Sequence, residues 1–456
     1  MEKILNQIKS LRKKKYADTG SAKLRAISAT IISKTILENK KLSQVLSTQQ
    51  ENQPDLNWSW IKQACFGTLR HLNQLQLIVH YLIPKPLPKK NHDLFCLILV
   101  GLYQLEYMNT PAYASVNETV AATKIIGKTW AKGLCNKVLR RYSKQRDKIH
   151  QHFKDNLEFK YSHPLWLIEE IAAAWPDYWQ DILLNNNTQA PLFLRVNKQH
   201  TSKNDYLALL RQQDIAFHSN DDDNDDSVRL DSALPVNDIP GFTDGLVSVQ
   251  DKSGQRIVSL LNLQPGQKVL DACAAPGSKT CHILESEPSL SKLIAVDINA
   301  DRLLSIKQNL IRLKLPSHTF RLTLADATHT KEWWDGELFD CILLDAPCSS
   351  LGVIRRHPDI KHLRSKQDIL DIMQLQQYLL RSLWPLLAPS GRLVYTTCSI
   401  LPDENENQIK QFLTTHKDAK AIMPKVQNSV VLKFGCQNLP QAKAGDGFYY
   451  SILTKQ

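Results

Sequence analysis

The sequence has little that would place the protein in a membrane or outside the cell. Its 456 residues contain no apolar run near the roughly 18 residues that a membrane-spanning helix needs. Residues 1–4 do not begin the apolar segment that is typical of a signal peptide. Nine cysteines are irregularly spaced without a Cys-x-x-Cys pair, which argues against a disulfide scaffold and a zinc site. We therefore expect a cytoplasmic protein without a bound metal.

Two common phosphate-binding motifs are also missing. Neither Gly-x-x-x-x-Gly-Lys-Ser/Thr nor Gly-x-Gly-x-x-Gly occurs in the chain. Residues 268–280 instead combine a short apolar strand, a loop of small residues with Pro-Gly, and the start of a helix. Such a strand–loop–helix turn brings backbone N–H groups close to a ligand. The segment is therefore a candidate ligand-binding loop of another kind.

Three later strand-like runs each end in an acidic residue, namely Asp297, Asp326 and Asp345. In a parallel α/β sheet the ligand crevice lies at the carboxyl ends of the strands. Carboxylates there can bind ribose hydroxyls or an exocyclic amine, or lie near a cationic sulfonium. A single aspartate of this kind is often only a helix cap. Three in order after such a loop favour a binding site.

Positive charge is concentrated in the first third of the chain. The net charge is +12, but residues 1–150 hold 25 Lys and Arg against 9 Asp and Glu, and the remaining residues hold 32 against 36. This asymmetry is typical of a polyanion-binding module joined to a near-neutral unit. A basic helical surface with no nucleic-acid partner is the alternative.

The apolar periodicity predicts a multidomain protein with three parts. Residues 1–145 are predicted to be all-helical, with one helical run over 58–83 and a buried central helix over 93–107. Residues 146–240 are predicted to form a small α/β connector with an Asp-rich loop at 221–226. Residues 241–456 alternate strand and helix, which predicts a doubly wound, Rossmann-like sheet.

Two cysteines, Cys348 and Cys398, stand just past predicted strand ends. An isolated cysteine is usually a buried small apolar residue, as we expect for Cys65, Cys96 and Cys135. Cys348 and Cys398 instead border polar and turn-forming residues in the sheet that carries the candidate loop. A thiolate in such a place suits covalent catalysis.

The helical part resembles the NusB family of RNA-binding proteins. The resemblance rests on the basic start Arg12-Lys13-Lys14-Lys15, on residues 112–120 (AYASVNETV) and on residues 132–140 (KGLCNKVLR). It implies an all-α domain that binds RNA.

The catalytic part resembles the RNA (cytosine-5) methyltransferases. The resemblance rests on residues 271–280, then the Asp-Ala-Pro-Cys-Ser run at 345–349 and the Thr-Cys-Ser run at 397–399, with residues 352–361 and 437–440 as narrower signatures. With the NusB-like part, the whole chain resembles the bacterial small-subunit ribosomal RNA methyltransferase B family, of the Sun/Fmu type. Ser278 stands where that family usually has glycine, and Ser350-Leu351 fills a variable pair.

The resemblance implies S-adenosylmethionine as cofactor. Its methionine end would contact the loop residues Cys273, Ala274, Ala275, Pro276, Gly277, Ser278 and Lys279. Asp297 would bind the ribose hydroxyls, and Asp326 would lie by the adenine. Asp345 would lie near the sulfonium and the target base.

The family also implies the roles of the reacting groups. Cys398, in Thr-Cys-Ser, would add to C6 of cytosine, so that C5 becomes nucleophilic enough to take the methyl group. Cys348 would assist product release, and Asp345 would contact N3 and the exocyclic amine. The target would be an unstacked cytosine of 16S ribosomal RNA. Three residues that follow Cys348 would bind RNA phosphates, namely Arg355, Arg356 and His357, unless they form a solvated basic turn.

Other functions remain open on the sequence. A DNA cytosine methyltransferase would use the Pro-Cys cysteine as nucleophile, so Cys398 argues against it. An adenine amino-methyltransferase would carry Asp/Asn-Pro-Pro-Tyr/Phe in place of residues 345–348. A non-catalytic RNA-binding ribosome-assembly factor would tolerate loss of the cysteines or acids, yet all are present. A cytosine-5 methyltransferase that acts on another RNA is a further alternative.

Overall fold

A computed structural model describes residues 21–219, 227–316 and 318–456. The basic start at 12–15 and the Asp-rich loop at 221–226 lie outside these residues. The chain forms two compact units. The helical unit comprises Met1–Asn187 with Ile354–Arg364, and the sheet unit comprises Thr188–Val353 with Ser365–Gln456.

The described part of the helical unit contains ten α-helices before Asn187. They are α1 (Ser21–Leu37), α2 (Leu42–Asn52), α3 (Trp58–Arg70), α4 (Leu72–Leu82), α5 (His92–Tyr107), α6 (Ala112–Ile125), α7 (Lys132–His152), α8 (Leu157–Tyr161), α9 (Leu165–Ala174) and α10 (Trp179–Asn186). The predicted single helical run at 58–83 is two helices, which meet at His71. No helix among the described residues is long and apolar enough to span a bilayer.

The predicted central helix, α5, is the core of this unit. Its apolar side chains are almost all buried, and α1, α3, α6 and α7 pack around it. Close helix contact needs glycine at two positions. A Cβ on Gly101 would lie 2.9 Å from a methyl carbon of Leu139, and one on Gly67 would overlap the Tyr103 ring. Small residues at these crossings let the helix axes approach. Cys65, Cys96 and Cys135 are buried in this core.

The segment Ile354–Arg364 belongs to the helical unit although it is distant in sequence. Lys361 is 1 % exposed, and its Nζ donates to the carbonyl oxygens of Arg70 and Ser162 at 2.6 Å each. It also donates to Asn187 Oδ1 at 3.0 Å. Burial and the nearby Arg70 lower the pKa of Lys361 well below its usual value, but the three oxygens match the three donors of its ammonium form. The amide of Leu42 donates to Asp359 Oδ2 at 3.0 Å.

The sheet unit begins with a small antiparallel sheet. Its elements are β1 (Leu192–Val196), α11 (Lys203–Gln212), β2 (Phe217–Ser219), β3 (Ser227–Leu230) and β4 (Val247–Val249). The strand order is β2-β3-β1-β4, and α11 packs on the sheet through Tyr206, Leu207 and Leu210. Apart from β4, this small antiparallel sheet with its helix lies within the predicted α/β connector.

A nine-stranded sheet carries the rest of the unit. Its elements are α12 (Lys252–Leu261), β5 (Lys268–Ala272), α13 (Ser278–Ser286), β6 (Lys292–Asp297), α14 (Ala300–Arg312), β7 (Phe320–Leu324), β8 (Phe339–Asp345), α15 (Lys366–Leu383), β9 (Leu387–Thr397), α16 (Glu406–Thr415), β10 (Ala419–Ile422), β11 (Val430–Val431), β12 (Cys436–Asn438) and β13 (Phe448–Lys455).

The strand order places the predicted site at the switch point of the sheet. The order is β11-β12-β13-β9-β8-β5-β6-β7, with β10 on β13. Strands β5 to β9 are parallel, and β13 is antiparallel to β9. The order reverses between β5 and β8, and ligands of doubly wound sheets bind outside the carboxyl ends at such a point. The predicted Rossmann-like fold is confirmed.

Candidate active site

The predicted cofactor loop follows β5 at the switch point. The chain turns through residues 273–277 into α13, and Gly277 has φ of 93°. A Cβ at Gly277 would lie 2.7 Å from Ile306 Cγ1 and 3.1 Å from Ile306 Cα. Glycine therefore supplies both the left-handed conformation and the close approach to α14. Ser278, the departure from the usual glycine, is the first residue of α13.

Asp297 fastens this loop to the end of β6. Its Oδ2 accepts the amide of Ala275 at 2.9 Å, and its Oδ1 accepts the amide of Asn299 at 2.9 Å. The amide of Ala274 donates to the Val296 carbonyl at 3.0 Å. Each carboxylate oxygen keeps a second lone pair, which a ligand hydroxyl can use.

Asp345, at the end of β8, forms an ion pair with Lys279 of α13. Burial lowers the pKa of Lys279, but the adjacent Asp345 outweighs it and the pKa is raised. Beneath this pair, Asp271 is fully buried and its Oδ2 accepts Thr280 Oγ1 at 2.6 Å. Burial raises the pKa of Asp271 to about 7, although Thr280 and Lys279 oppose the rise.

The loop lies in a field of negative charge. Burial raises the pKa of the Cys273 thiol, and four carboxylates raise it further, those of Asp297, Asp345, Asp271 and Asp326. Lys279 and Arg302, whose guanidinium donates to the Ala275 carbonyl, offset two of these charges. Asp271, with its pKa of about 7, is ionised only in part near neutral pH, so a smaller excess of negative charge remains. A crevice with this balance favours a cationic ligand.

Asp326 lies just past the end of β7, in a turn. Its Oδ1 accepts the Thr328 amide at 2.8 Å and the Thr328 hydroxyl at 2.7 Å. Burial tends to raise the pKa of Asp326, but these two hydrogen bonds lower it overall. The side chain therefore caps its own turn and also adds charge to the crevice.

The two candidate catalytic cysteines meet beside this crevice. Strands β8 and β9 are parallel neighbours with Asp345 opposite Thr396, so the residues that follow them converge. Cys348 Sγ lies 3.4 Å from Cys398 Sγ, and both residues are partly exposed. The Gly352 amide donates to the Cys398 carbonyl at 2.9 Å and holds the backbone there.

The two thiols are electrically unequal. The hydrogen bond with Cys348 lowers the pKa of Cys398, and Ser350 and Lys279 lower it further. Burial and Asp345 raise this pKa, but the lowering prevails. The same hydrogen bond and burial raise the pKa of Cys348 well above its usual value, and Glu404 adds to the rise. The arrangement therefore favours a Cys398 thiolate that accepts the Cys348 S–H.

Sequence reasoning missed Glu404, a fully buried carboxylate behind the cysteines. It binds the serine that follows each cysteine, Ser349 and Ser399. Residues 403–406 read Asp-Glu-Asn-Glu, and nothing in that local pattern separates Glu404 from its exposed or half-buried acidic neighbours.

The three residues predicted to bind RNA phosphates lie in the segment that joins the helical unit. Arg355 is 1 % exposed, and its carbonyl accepts Arg70 Nη2 at 2.9 Å. Arg356 is half-buried and His357 is exposed. Contact of these residues with RNA stays a prediction.

A cationic cavity of about 400 Å³ opens in the sheet unit. It lies between the small antiparallel sheet and the loop that precedes β13, and none of its described lining residues is acidic. Its basic lining residues are His218, Arg229, Lys252, Arg256 and Lys443.

Comparison with known proteins agrees with this architecture. Residues 258–454 match the model of the 16S rRNA methyltransferase RsmB/F family, residues 163–237 match the RsmF/B-like ferredoxin-like domain, and residues 22–144 match the NusB family. The probable ribosomal RNA small subunit methyltransferase B of Coxiella burnetii is 46 % identical over 431 residues, which cover 94 % of this chain and 99 % of that protein.

Two further proteins extend the comparison. The ribosomal RNA small subunit methyltransferase B of Proteus mirabilis is 42 % identical over 436 residues, or 96 % of this chain and 99 % of that protein. The crystal structure of PH0851 has the same fold, with a TM-score of 0.79 at 23 % identity, and the match covers 95 % of this chain and 99 % of that one.

The NusB helices, the ferredoxin-like sheet and the parallel sheet with its acidic strand ends together define a multidomain methyltransferase. Identity to the curated relatives extends over nearly the full length of both partners. The chain belongs to the ribosomal RNA small subunit methyltransferase B family.

Proposed function

We propose that the protein transfers a methyl group from S-adenosylmethionine to C5 of a cytosine in 16S ribosomal RNA, through a covalent bond between Cys398 and C6. The observation that carries the proposal is the pair of thiols 3.4 Å apart at the carboxyl edge of the sheet, next to the acidic loop. Family membership supports the ribosomal RNA substrate, because the relatives are named for that activity.

The residues of the crevice suit S-adenosylmethionine. Its sulfonium and ammonium groups are cationic, and the carboxylates around Cys273 outnumber the two cations at the loop, Lys279 and Arg302. Asp271 Oδ1 is buried without a described hydrogen-bond partner. Asp297 would hold the ribose, Asp326 would lie by the adenine, and residues 273–279 would line the methionine end. The bound cofactor supplies an electrophilic methyl group.

Cys398 supplies the nucleophile for the base. Its Sγ bonds to C6 of cytosine, and the C5–C6 double-bond electrons move to C5. C5 would then take the methyl carbon as the bond from that carbon to the cofactor's sulfur breaks and its electron pair stays on sulfur. Asp345 contacts N3 and the exocyclic amine and stabilises the adduct. The C5 proton then leaves, the C5–C6 double bond forms again, and Cys398 departs as thiolate.

Cys348 assists the last step. While Cys398 is a thiolate, its hydrogen bond and charge help to raise the pKa of Cys348. Once Cys398 has bonded to C6, it no longer carries a negative charge, so it no longer raises the pKa of Cys348. Cys348 then ionises more readily, so that its thiolate can take the C5 proton next to the bond that must break.

RNA binding is supported by charge in both units. The excess of Lys and Arg lies in the first 150 residues, and the cationic cavity adds a second basic surface in the sheet unit. Such surfaces bind the phosphate backbone through counterion release. We infer that Arg356 adds to the basic surface of the helical unit and that His357 offers a hydrogen bond beside it, because burial lowers the pKa of His357 and Arg355 is buried.

The test is transfer of labelled methyl from S-adenosylmethionine to unmethylated 16S RNA, with the product nucleoside identified. Wild type should yield 5-methylcytosine, and Cys398→Ala should yield none. Cys348→Ala should accumulate as a covalent protein–RNA complex that survives denaturing electrophoresis. Full turnover in Cys398→Ala would refute the nucleophile. Tight RNA binding without any methyl transfer by wild type would favour the assembly-factor alternative.

A further inference from the structure

One buried carboxylate holds both cysteine segments. Glu404 is fully buried in the turn Pro402–Glu404 that follows β9. Its Oε2 accepts the amide of Ser349 at 2.6 Å, and its Oε1 accepts the hydroxyls of Ser349 and of Ser399, the latter at 2.6 Å. Ser349 follows Cys348 and Ser399 follows Cys398, so a single side chain connects the two Cys–Ser dipeptides.

The surroundings of Glu404 leave it little freedom. Tyr395 OH donates to its carbonyl at 2.6 Å. The next residue, Asn405, donates from Nδ2 to the Ser399 carbonyl at 3.1 Å and to Gln437 Oε1 at 2.8 Å. The turn and the backbone beside Cys398 are therefore tied together on both sides.

A buried charge is costly unless donors surround it. The donors that converge on Glu404 include the Ser349 amide and the hydroxyls of Ser349 and Ser399, and these two hydroxyls lie 3.2 Å from each other. An apolar residue would fill the same space without the desolvation cost. Packing alone therefore does not explain the carboxylate, and its contacts with Ser349 and Ser399 place it directly behind the two thiols.

We propose that Glu404 is a positioning residue that holds Cys348 and Cys398 in mutual contact and directs the negative charge of the thiol pair to Cys398. The proposal deepens the proposed function and rests on it, because it concerns the same two thiols. Glu404 connects the two cysteine segments through its hydrogen bonds with Ser349 and Ser399. Its negative charge repels a negative charge on Cys348 and so raises the pKa of that thiol.

The charges around the pair support this direction. The Cys398 hydrogen bond, burial and the Cys398 charge raise the pKa of Cys348, and the charge of Glu404 raises it further. Cys398 instead faces Lys279 and Ser350, which lower its pKa, and Asp345, which raises it. Removal of the Glu404 charge should therefore make the two thiols more alike.

The test compares Glu404→Gln with wild type and with Asp403→Asn. Glu404→Gln keeps the side-chain shape but removes the charge. The glutamine amide group then presents either an N–H donor or a weaker oxygen acceptor to the backbone N–H of Ser349. Asp403 is exposed and one residue away, where its Oδ1 accepts Asn407 Nδ2 at 2.7 Å. Asp403→Asn therefore removes the same formal charge without touching either serine.

The readout is alkylation of each thiol by iodoacetamide across neutral pH, resolved by mass spectrometry of the two peptides. In wild type and in Asp403→Asn, Cys398 should react first and at lower pH. In Glu404→Gln, the alkylation rate of Cys398 divided by that of Cys348 should fall about tenfold. A fall of this size corresponds to a change of about one unit in the difference between the two thiol pKa values. Glu404→Asp should restore part of the ratio. An unchanged ratio and pH profile in a folded Glu404→Gln would overturn the proposal.

A second variant covers failure of Glu404→Gln to fold. Ser399→Ala removes one donor and leaves the carboxylate in place, so the link to Cys398 is lost while the charge remains. A fall in the rate ratio in this variant supports the proposal, and an unchanged ratio overturns it. Alkylation needs no RNA, so absence of methyl transfer in wild type would refute the proposed function without altering this result.

Discussion

Replacement of Lys361 by methionine should open the helical unit locally at residues 354–364. Methionine keeps the apolar stem of lysine but donates no hydrogen bonds. Lys361→Met therefore leaves the oxygens of Arg70, Ser162 and Asn187 without their donor. The change tests whether this segment is held by one buried ammonium group.

The magnitude follows from three buried acceptors. Each acceptor left without a donor costs about 1–3 kcal/mol. The cost of burying an ammonium ion is avoided at the same time, which offsets several kcal/mol. We expect a net loss of about 2–4 kcal/mol in the local stability of the segment.

Hydrogen exchange measured by mass spectrometry reads this loss directly. The amides of His362 and Leu363 both donate to the Asp359 carbonyl, at 2.9 and 3.0 Å, and open with the segment. Their exchange should become about 30- to 1,000-fold faster in Lys361→Met, since about 1.4 kcal/mol is a factor of ten. The control is Lys137→Met, because Lys137 is exposed on α7 of the same unit.

Two results would refute the reasoning. Acceleration of less than about threefold in Lys361→Met would show that the three hydrogen bonds do not hold the segment. Equal acceleration in Lys137→Met would show that loss of any lysine charge has the same effect. Amides of the sheet unit should exchange at wild-type rates in both variants.

Three further predictions follow from the cofactor loop, the buried histidines and the surface charge. Gly277→Ala should weaken S-adenosylmethionine binding in calorimetry more than Gly266→Ala. Both glycines have positive φ, but only a Cβ added at Gly277 would clash with another residue. Equal effects of the two substitutions would contradict this. Burial lowers the pKa of His362 to about 3 and that of His163 well below its usual value. The free energy of unfolding should therefore be highest above about pH 6.5 and fall as the pH drops toward the folded-state pKa, by about 1.4 kcal/mol per pH unit for each histidine. A urea-unfolding midpoint that stays the same between about pH 7 and 5 would contradict this. Arg140→Gln, at an exposed position of α7, should reduce the slope of log affinity against log salt by about 0.7–0.9 if Arg140 contacts one RNA phosphate, and an unchanged slope would exclude that contact.

The parallel sheet and its acidic edge were predictable because their signals are local. Apolar runs that end at Asp297 and Asp345 are strands, and parallel strands bring their carboxyl ends to one edge. The meeting of Cys348 and Cys398 followed from that rule once β8 and β9 were neighbours. Their different roles came from family resemblance, since spacing alone makes the two cysteines equivalent.

Other contacts had no local signal. Lys361 and Arg70 are 291 residues apart, and a lysine in a polar, basic stretch predicts a solvated side chain rather than a buried one. Glu404 likewise acquires its partners only when β8 and β9 pair, because Ser349 lies 55 residues away. The break at His71 was also missed, since the apolar period continues across it from α3 into α4.

The late position of the segment Ile354–Arg364 in the sequence also affects when the helical unit can finish folding during synthesis. The ribosome completes Asn187 about 180 residues before it completes Arg364. At about 5–20 residues per second, this interval is about 9–35 s. For nearly all of it, the oxygens of Arg70 and Ser162 are present in the nascent chain while Lys361 is not. The helical unit therefore reaches its final form only after residues 354–364 have been made, and by then Cys348 is already part of the nascent chain.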